Sequence, residues 1–382
     1  MDRLDHLQLN RATLDRQLLL RRATRPVRDA IEHLAGLQAQ APRAPYVGLW
    51  TRLAGFGHQD LEDLLTERIV VRAHLMRNTV HLVTAADFIS FRPLFQPIME
   101  RALAGNFGRN LGGVDLEELR TVAAALLAER PLTRGQLADQ LSASWPGHDP
   151  VSLAYAATHL LQLVQVPPRG LWGRSGQATW FLASAWLQSA WLPSAWLTGA
   201  GPDGPAAPDL DTVLDRLVVR YLGAYGPATV RDIQAWSGLS RLREVTERLG
   251  PRLRTFTGSG GAELLDLPDA PRPDADVPAP PRFLPEYDNL LLSFADRSRV
   301  IRGTRAVPLP AGPGGTTGTV LVEGFWVADW TITRSRDRAV LEIRSFGPLG
   351  VAGQDAIAAE GSRLLEFAAP AAAHDVRFCT AS

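Results

Sequence analysis

The stretch GPATVRDIQAWSGLSRLREVTERLGPRLRTFTGSGGAELLDLP, residues 226–268, decides the fold. Thr229 is a good N-cap for a short helix over 230–236, and Gly238 supplies its stop signal. Ser240 opens a second helix over 241–249, which Gly250 and Pro251 end. Two β-prone runs, 253–257 and 262–267, then flank a Gly-Ser-Gly-Gly turn. Helix, tight turn, helix, hairpin is the order of a winged helix-turn-helix, whose second helix normally enters the DNA major groove.

Outward from this stretch the same order recurs twice. Upstream, Thr133 caps a helix over 131–141, and the break Trp145-Pro146-Gly147 precedes an apolar helix over 151–163. Strand-like runs 163–166 and 178–182 then flank a loop holding Gly170, Gly173, Arg174 and Gly176. In the N-terminal third, helices over 9–20, 26–37, 45–53 and 61–66 lead to strands 69–76 and 79–84. Arg77-Asn78 joins those strands, and Asn tolerates the left-handed backbone of such a turn. One helix–helix–hairpin unit is commonplace, whereas three in one chain make a repeat. The Pro/Gly/Ala-rich stretches 198–208 and 268–281 read as linkers. Residues 320–346 read as two long strands with a turn at 335–337, and a helix over 354–367 closes the chain. The prediction is an α+β chain of three tandem winged helix-turn-helix modules, 1–110, 111–200 and 206–270, followed by a β-rich region, 280–382. SAWLQSAWLPSAWL (184–197) places Trp186, Trp191 and Trp196 five residues apart, too short a run for a solenoid. Aromatic packing is its reading.

The chain has 382 residues, 40 basic and 40 acidic, with a net charge of +0. That excludes a nucleic-acid binder held by bulk charge, but not one with a local basic face. There is no lysine, so every basic side chain is arginine. They cluster as Arg16, Arg21, Arg22, Arg25 and Arg28; Arg241, Arg243, Arg248, Arg252 and Arg254; Arg297, Arg299, Arg302 and Arg305; and Arg334, Arg336 and Arg338. Each cluster alone reads as a solvated face; four of them suggest a shared anion-binding surface. The lone Cys379 excludes an intrachain disulfide and a cysteine-built metal site. No signal-peptide pattern and no apolar run of about 18 residues is found, which predicts a cytoplasmic protein with no membrane partner.

Most catalytic signatures are missing. No P-loop, no H-E-x-x-H and no Gly-x-Ser-x-Gly elbow appears, and without lysine a side-chain Schiff base is ruled out. His74 and His81 lie on neighbouring predicted strands but lack a third ligand, so neither a metal nor an organic cofactor is expected. What stands out is Gln38-Ala39-Gln40, after a helix that runs into Gly36-Leu37 and that Pro42 and Pro45 prevent from continuing. On a helix the two glutamines would point about 200° apart; on an extended chain, i and i+2 share a side. Two amides would then address one point, each with an acceptor and two donors. The plainer alternative is a solvent-facing polar pair at a helix end.

At these residues the chain resembles the AlkZ-type winged-helix DNA glycosylases of actinobacteria, which unhook interstrand crosslinks and include the azinomycin-resistance type. The likeness rests on the Gln-Ala-Gln motif, MRNTVHLV (76–83), FLPEYDNLLLSFADR (283–297) and the strand GFWVADW (324–330). Its one departure is Asn78, where a small residue, often Gly, is expected. The resemblance implies three winged helices in a C-shaped fold about a concave DNA-binding surface. It also implies a monomeric enzyme with its active site at Gln38 and Gln40. Double-stranded DNA carrying alkylated or crosslinked purines is the implied partner, in repair or antibiotic self-resistance. Arg77, His81, Asp329, Trp330, Arg297, Arg299, Arg334 and Arg336 are the candidates for DNA contact. His81 is placed either toward the groove or in the core, and Trp330 either in the core or under a base.

Two neutral amides suit this chemistry. An N7-alkylated purine already carries a positive charge, so it departs as a neutral base and needs no general acid, unlike an ordinary glycoside. One amide oxygen steadies the developing sugar cation while the other orients water. From another function class, a non-enzymatic winged-helix regulator or drug-sequestering protein fits the modules equally, because fold alone does not imply function.

Overall fold

The computed structural model of the protein describes residues 2–187, 209–303 and 317–380. They gather into two units. The first comprises Met1–Gly57, Val219–Trp236 and Thr246–Ser382; the second comprises His58–Val218 and Ser237–Val245.

In the first unit, period-two alternation builds a C-terminal sheet in the order Arg282–Leu284, Gly318–Val322, Phe325–Arg334, Arg338–Ser345 and Ala373–Thr380. All pairs are antiparallel except the last, which is parallel. Ala328, Trp330, Ala339, Leu341 and Ile343 share one core, which Ile357, Leu364 and Leu365 of the helix Val351–Ala368 complete. Each large aliphatic side chain fully buried there contributes roughly 1.5–3 kcal/mol. Gly318 lies opposite Trp330, and a Cβ at 318 would fall 2.1 Å from the indole. Only glycine lets that ring cross the neighbouring strand.

Two expectations for this region are corrected. The two long strands over 320–346 are three, because Glu323 and Gly324 adopt left-handed angles (φ 49° and 79°) and reverse the chain. An uninterrupted apolar run on both sides of Glu-Gly hid that turn. Nor does the helix close the chain: Ala373–Thr380 follows it as a sheet edge.

The quoted stretch folds as read. Its helices are Val230–Ser237 and Leu242–Leu249, and its strands Arg254–Gly258 and Glu263–Asp266 pair antiparallel. A short N-terminal strand, Arg3–Leu4, adds in parallel to Arg254–Gly258, which the sequence did not signal. The 268–281 linker carries no helix or strand, yet it is pinned to the helix His6–Arg16. Arg11 Nε donates to the Val277 carbonyl at 2.6 Å, and Arg16 Nη2 to that of Pro271 at 3.0 Å. The 198–208 linker, Trp191, Trp196 and Arg305 lie outside the described residues.

In the second unit, antiparallel strands run in the order Val80–Thr84, Val70–His74, Leu163–Val166, Thr179–Leu182 and Leu132–Thr133. The hairpins read in the first and second modules therefore share one sheet, joined at Arg72↔Gln165 and Ala73↔Val164. Arg134–Ser144 starts on a full capping box, Thr133 with Gln136. That reciprocal pair satisfies two otherwise orphan amides. The helix Ala85–Phe107 was not anticipated, because Pro93 and Pro97 sit inside it and proline normally marks a break. Trp186 packs as read: the Arg68 guanidinium lies 4.2 Å from its ring centre and Phe181 meets it edge-on.

Candidate active site

The helix read over 26–37 ends at His33 instead. Ala35 (φ 54°) and Gly36 (φ 90°) turn it through the left-handed region, and their amides donate to Glu32 and Ile31 to close its end. Gly36 suits this position because no Cβ opposes positive φ. Leu37 and Gln38 are then extended, and the strand ends there, with Gln40 in a bend, so the extended backbone of the i, i+2 argument covers Gln38 but not Gln40. The two glutamines are not equivalent. Gln38 is buried and Gln40 exposed. Gln38 Oε1 accepts the backbone N–H of Gln40 at 2.7 Å, so the Gln38 amide is oriented by its own segment. Arg43, exposed, then caps the helix Ala44–Trp50, with Pro45 in its first turn.

A second segment, Pro285–Asn289, is fastened beside this one. Trp330 Nε1 donates to the Leu284 carbonyl at 2.9 Å, which fixes where the segment begins. A Cβ on Gly48 would touch both Leu37 (3.4 Å) and Pro285 (3.6 Å), so both side chains lie over the same glycine of that helix. Asp288 receives both arms of the Arg52 guanidinium, each at 2.9 Å, and caps the short helix Asn289–Leu292. Asn289 Nδ2 reaches back to the Gly36 carbonyl at 3.3 Å. Between these anchors Tyr287 is left-handed (φ 60°), an unusual state for a bulky residue and a marker of local constraint. Glu286 beside it is half-buried, and desolvation raises its carboxyl above the usual range against the opposing pull of Arg43. Arg334 feels Arg43 too: partial burial first, then that like charge, lowers its guanidinium below the usual range.

Of the remaining predicted residues, Arg334 and Arg336 stand exposed at the tip joining Phe325–Arg334 to Arg338–Ser345. Arg297 is half-buried and has no ion pair among the described residues. Asp329 is half-buried and accepts the Trp326 indole N–H at 3.1 Å. One candidate is corrected, and the open placement of Trp330 is decided. Arg299 is buried and bonds Thr13 and the Pro227 carbonyl, with Asp232 at 4.0 Å, so it is internal scaffold and not a phosphate contact. Trp330 takes the core position, packed on Phe283. Arg77 and His81 belong to the second unit. Arg77 and Asn78 are both left-handed (φ 54° and 56°), so the turn forms without glycine. His81 is fully buried with Nδ1 3.0 Å from the Thr79 carbonyl, the core alternative of its two placements. Among the described residues no three His, Cys, Asp or Glu side chains group as a metal site, and no helix is long and apolar enough to cross a membrane.

A family model described as "DNA glycosylase AlkZ-like" matches residues 31–367. The chain belongs to that family. Among its AlkZ-like relatives, the interstrand DNA cross-link repair glycosylase of Streptomyces sahachiroi is 23% identical over 274 residues. That alignment takes in 66% of this chain and spans 64% of the relative's own length. The solved structure of the S. sahachiroi DNA glycosylase AlkZ superposes with a TM-score of 0.73 at 21% identity, covering 99% of this chain and 100% of that one. At that identity the likeness establishes an AlkZ-like α+β fold. Within it, Arg43 follows the glutamine segment and interacts with Glu286, whose own segment is bonded to Gly36 through Asn289; spacing alone singled out neither residue. FLPEYDN could have drawn attention to itself through an acidic residue set between a proline and a capping Asp-Asn pair.

Proposed function

We propose that this AlkZ-like chain hydrolyses the N-glycosidic bond of N7-alkylated purines in duplex DNA, including bulky adducts and interstrand crosslinks. It is read as a monofunctional glycosylase, with Gln38 and Gln40 as its catalytic residues. The observation that carries the reading is the extended Leu37–Gln38 segment, released from its helix at Gly36, with Gln38 held by the Gln40 N–H. A pre-oriented amide loses little freedom when the transition state forms, and so favours it. The cross-link repair activity named for the S. sahachiroi relative agrees with a cationic, bulky leaving base. Arg77, Arg297, Arg334 and Arg336 are the proposed phosphate contacts, since forked guanidinium donors match phosphate oxygens. Three tandem winged-helix modules remain the proposed domain plan, and no metal or organic cofactor is invoked.

The test is single-turnover release of N7-methylguanine from a duplex. Wild-type protein should release the base and leave an alkali-labile abasic site. Q38A and Q40A should each slow excision by about 10²–10³, the usual loss for one positioned hydrogen-bonding group, with DNA affinity little changed. Both variants excising at the wild-type rate would exclude this site. Tight DNA binding without base release by the wild type would favour the regulator or sequestering protein.

A further inference from the structure

Hydrolysis of a cationic nucleoside leaves one proton to be placed. The C1′–N9 bond breaks with its electron pair passing to the base, which departs neutral. A water oxygen bonds to C1′, and that water must lose a proton. Glutamine amides accept hydrogen bonds but are not bases, so Gln38 and Gln40 orient the water without taking its proton. A base beside them completes the balance.

We propose that Glu286 is this base, a third catalytic residue that takes the proton of the attacking water and returns it to solvent. The assignment rests on the reading of the chain as an N7-alkylpurine glycosylase. The Asn289–Gly36 bond and the common approach of Pro285 and Leu37 to Gly48 set Pro285–Asn289 beside Gly36–Leu37, while the Trp330–Leu284 bond and the Asp288–Arg52 pair fix the two ends of the segment. Glu286 occupies the interval between them. Among the described residues its carboxyl has no ion pair within 4 Å, whereas Asp288, two residues on, is fully engaged by Arg52.

A carboxylate kept in a partly dry site with no ion pair departs from the usual pattern of acidic side chains, which are solvated or paired. The charged group acting on it is Arg43, from the segment after Gln40. Arg334 acts on Arg43 in turn, and Asp288 is neutralised by Arg52. Burial raises the Glu286 carboxyl, which moves its basicity toward the working pH. A stronger base is unnecessary because the sugar cation is so electrophilic.

The experiment is single-turnover excision of N7-methylguanine between pH 5 and 8.5, corrected for spontaneous depurination, on wild type, E286Q and E286D. Wild type should show a rising acid limb with a midpoint above the ordinary carboxylate range. E286Q, isosteric but not basic, should lose about 10²-fold in rate, lose the limb, and keep its DNA affinity and melting temperature. E286D should retain the limb at reduced rate, and it carries the test if E286Q does not fold; an E286D without the limb overturns the proposal. Wild type inactive at every pH sinks the glycosylase reading and this assignment with it. Active wild type with an E286Q matching it in rate and acid limb sinks the assignment alone.

Discussion

Arginine does two jobs in this lysine-free chain. Arg16, Arg52 and Arg299 are buried and aimed at Asp266, Asp288 and Asp232, at 2.6, 2.9 and 4.0 Å. A guanidinium is planar and weakly hydrated, so it is more easily buried against a carboxylate than an ammonium is. These pairs position elements more than they stabilise them, because desolvation offsets much of the attraction. Breaking one is another matter. Asp288→Ala should cost about 3–5 kcal/mol in urea unfolding, since it leaves Arg52 charged and unpaired in the interior. The double variant R52M/D288L should recover most of that loss; a single variant within 1 kcal/mol of wild type would show that the pair is solvated.

The element that separates the two kinds of arginine is the hairpin Phe325–Arg334/Arg338–Ser345. Its inward residues Ala328, Trp330, Leu341 and Ile343 are core, while Arg334 and Arg336 project at its tip. If the tip meets phosphates, R334A and R336A should each reduce the slope of log affinity against log salt by about 1, equally for all DNA sequences. R299A is the internal contrast: it should lower the melting temperature and leave the salt slope unchanged. An unchanged slope in both tip variants would remove this hairpin from the DNA interface.

Across the whole molecule, buried and half-buried histidines link stability to pH. In the second unit His74 is pulled from 6.5 to about 3, first by desolvation and then by Arg134, His159, Arg92 and His81. His159 is lowered in the same way, and in the first unit desolvation lowers His33. A histidine whose folded pKa is depressed leaves stability intact above its unfolded pKa near 6.5. Below that, the unfolded chain takes up a proton that the folded form refuses. Stability should therefore fall from pH 6.5 toward 5, by about 1.4 kcal/mol per pH unit for each fully refusing histidine. It should be flat between pH 7 and 8.5. Denaturant titrations check this, and His74→Gln should flatten the acid slope; equal stability at pH 5 and 7.5 would show that these rings are solvated.

Local signals carried much of the fold. Thr133, Gly36 and the turn residues 258–261 act through caps, positive φ and loop chemistry, all settled within a few residues, so 226–268 was legible almost to the residue. That a helix stops before Gln38 was legible for the same reason, although it ends at His33 and not at Leu37, and only Leu37–Gln38 of the glutamine segment is extended. Tertiary structure decided the rest. Helix Ala85–Phe107 runs through two prolines, which local propensity reads as breaks and packing overrides. Strand Ala373–Thr380 exists only because Arg338–Ser345 offers a parallel edge. Arg299 and Arg334 look alike in sequence, yet one is buried against Asp232 and the other exposed, because burial depends on residues distant along the chain. The same holds for Glu286. The placement of its segment beside Gly36 arises from Trp330, Arg52 and Gly36, partners about 40 to 250 residues away, and no spacing rule reaches that far.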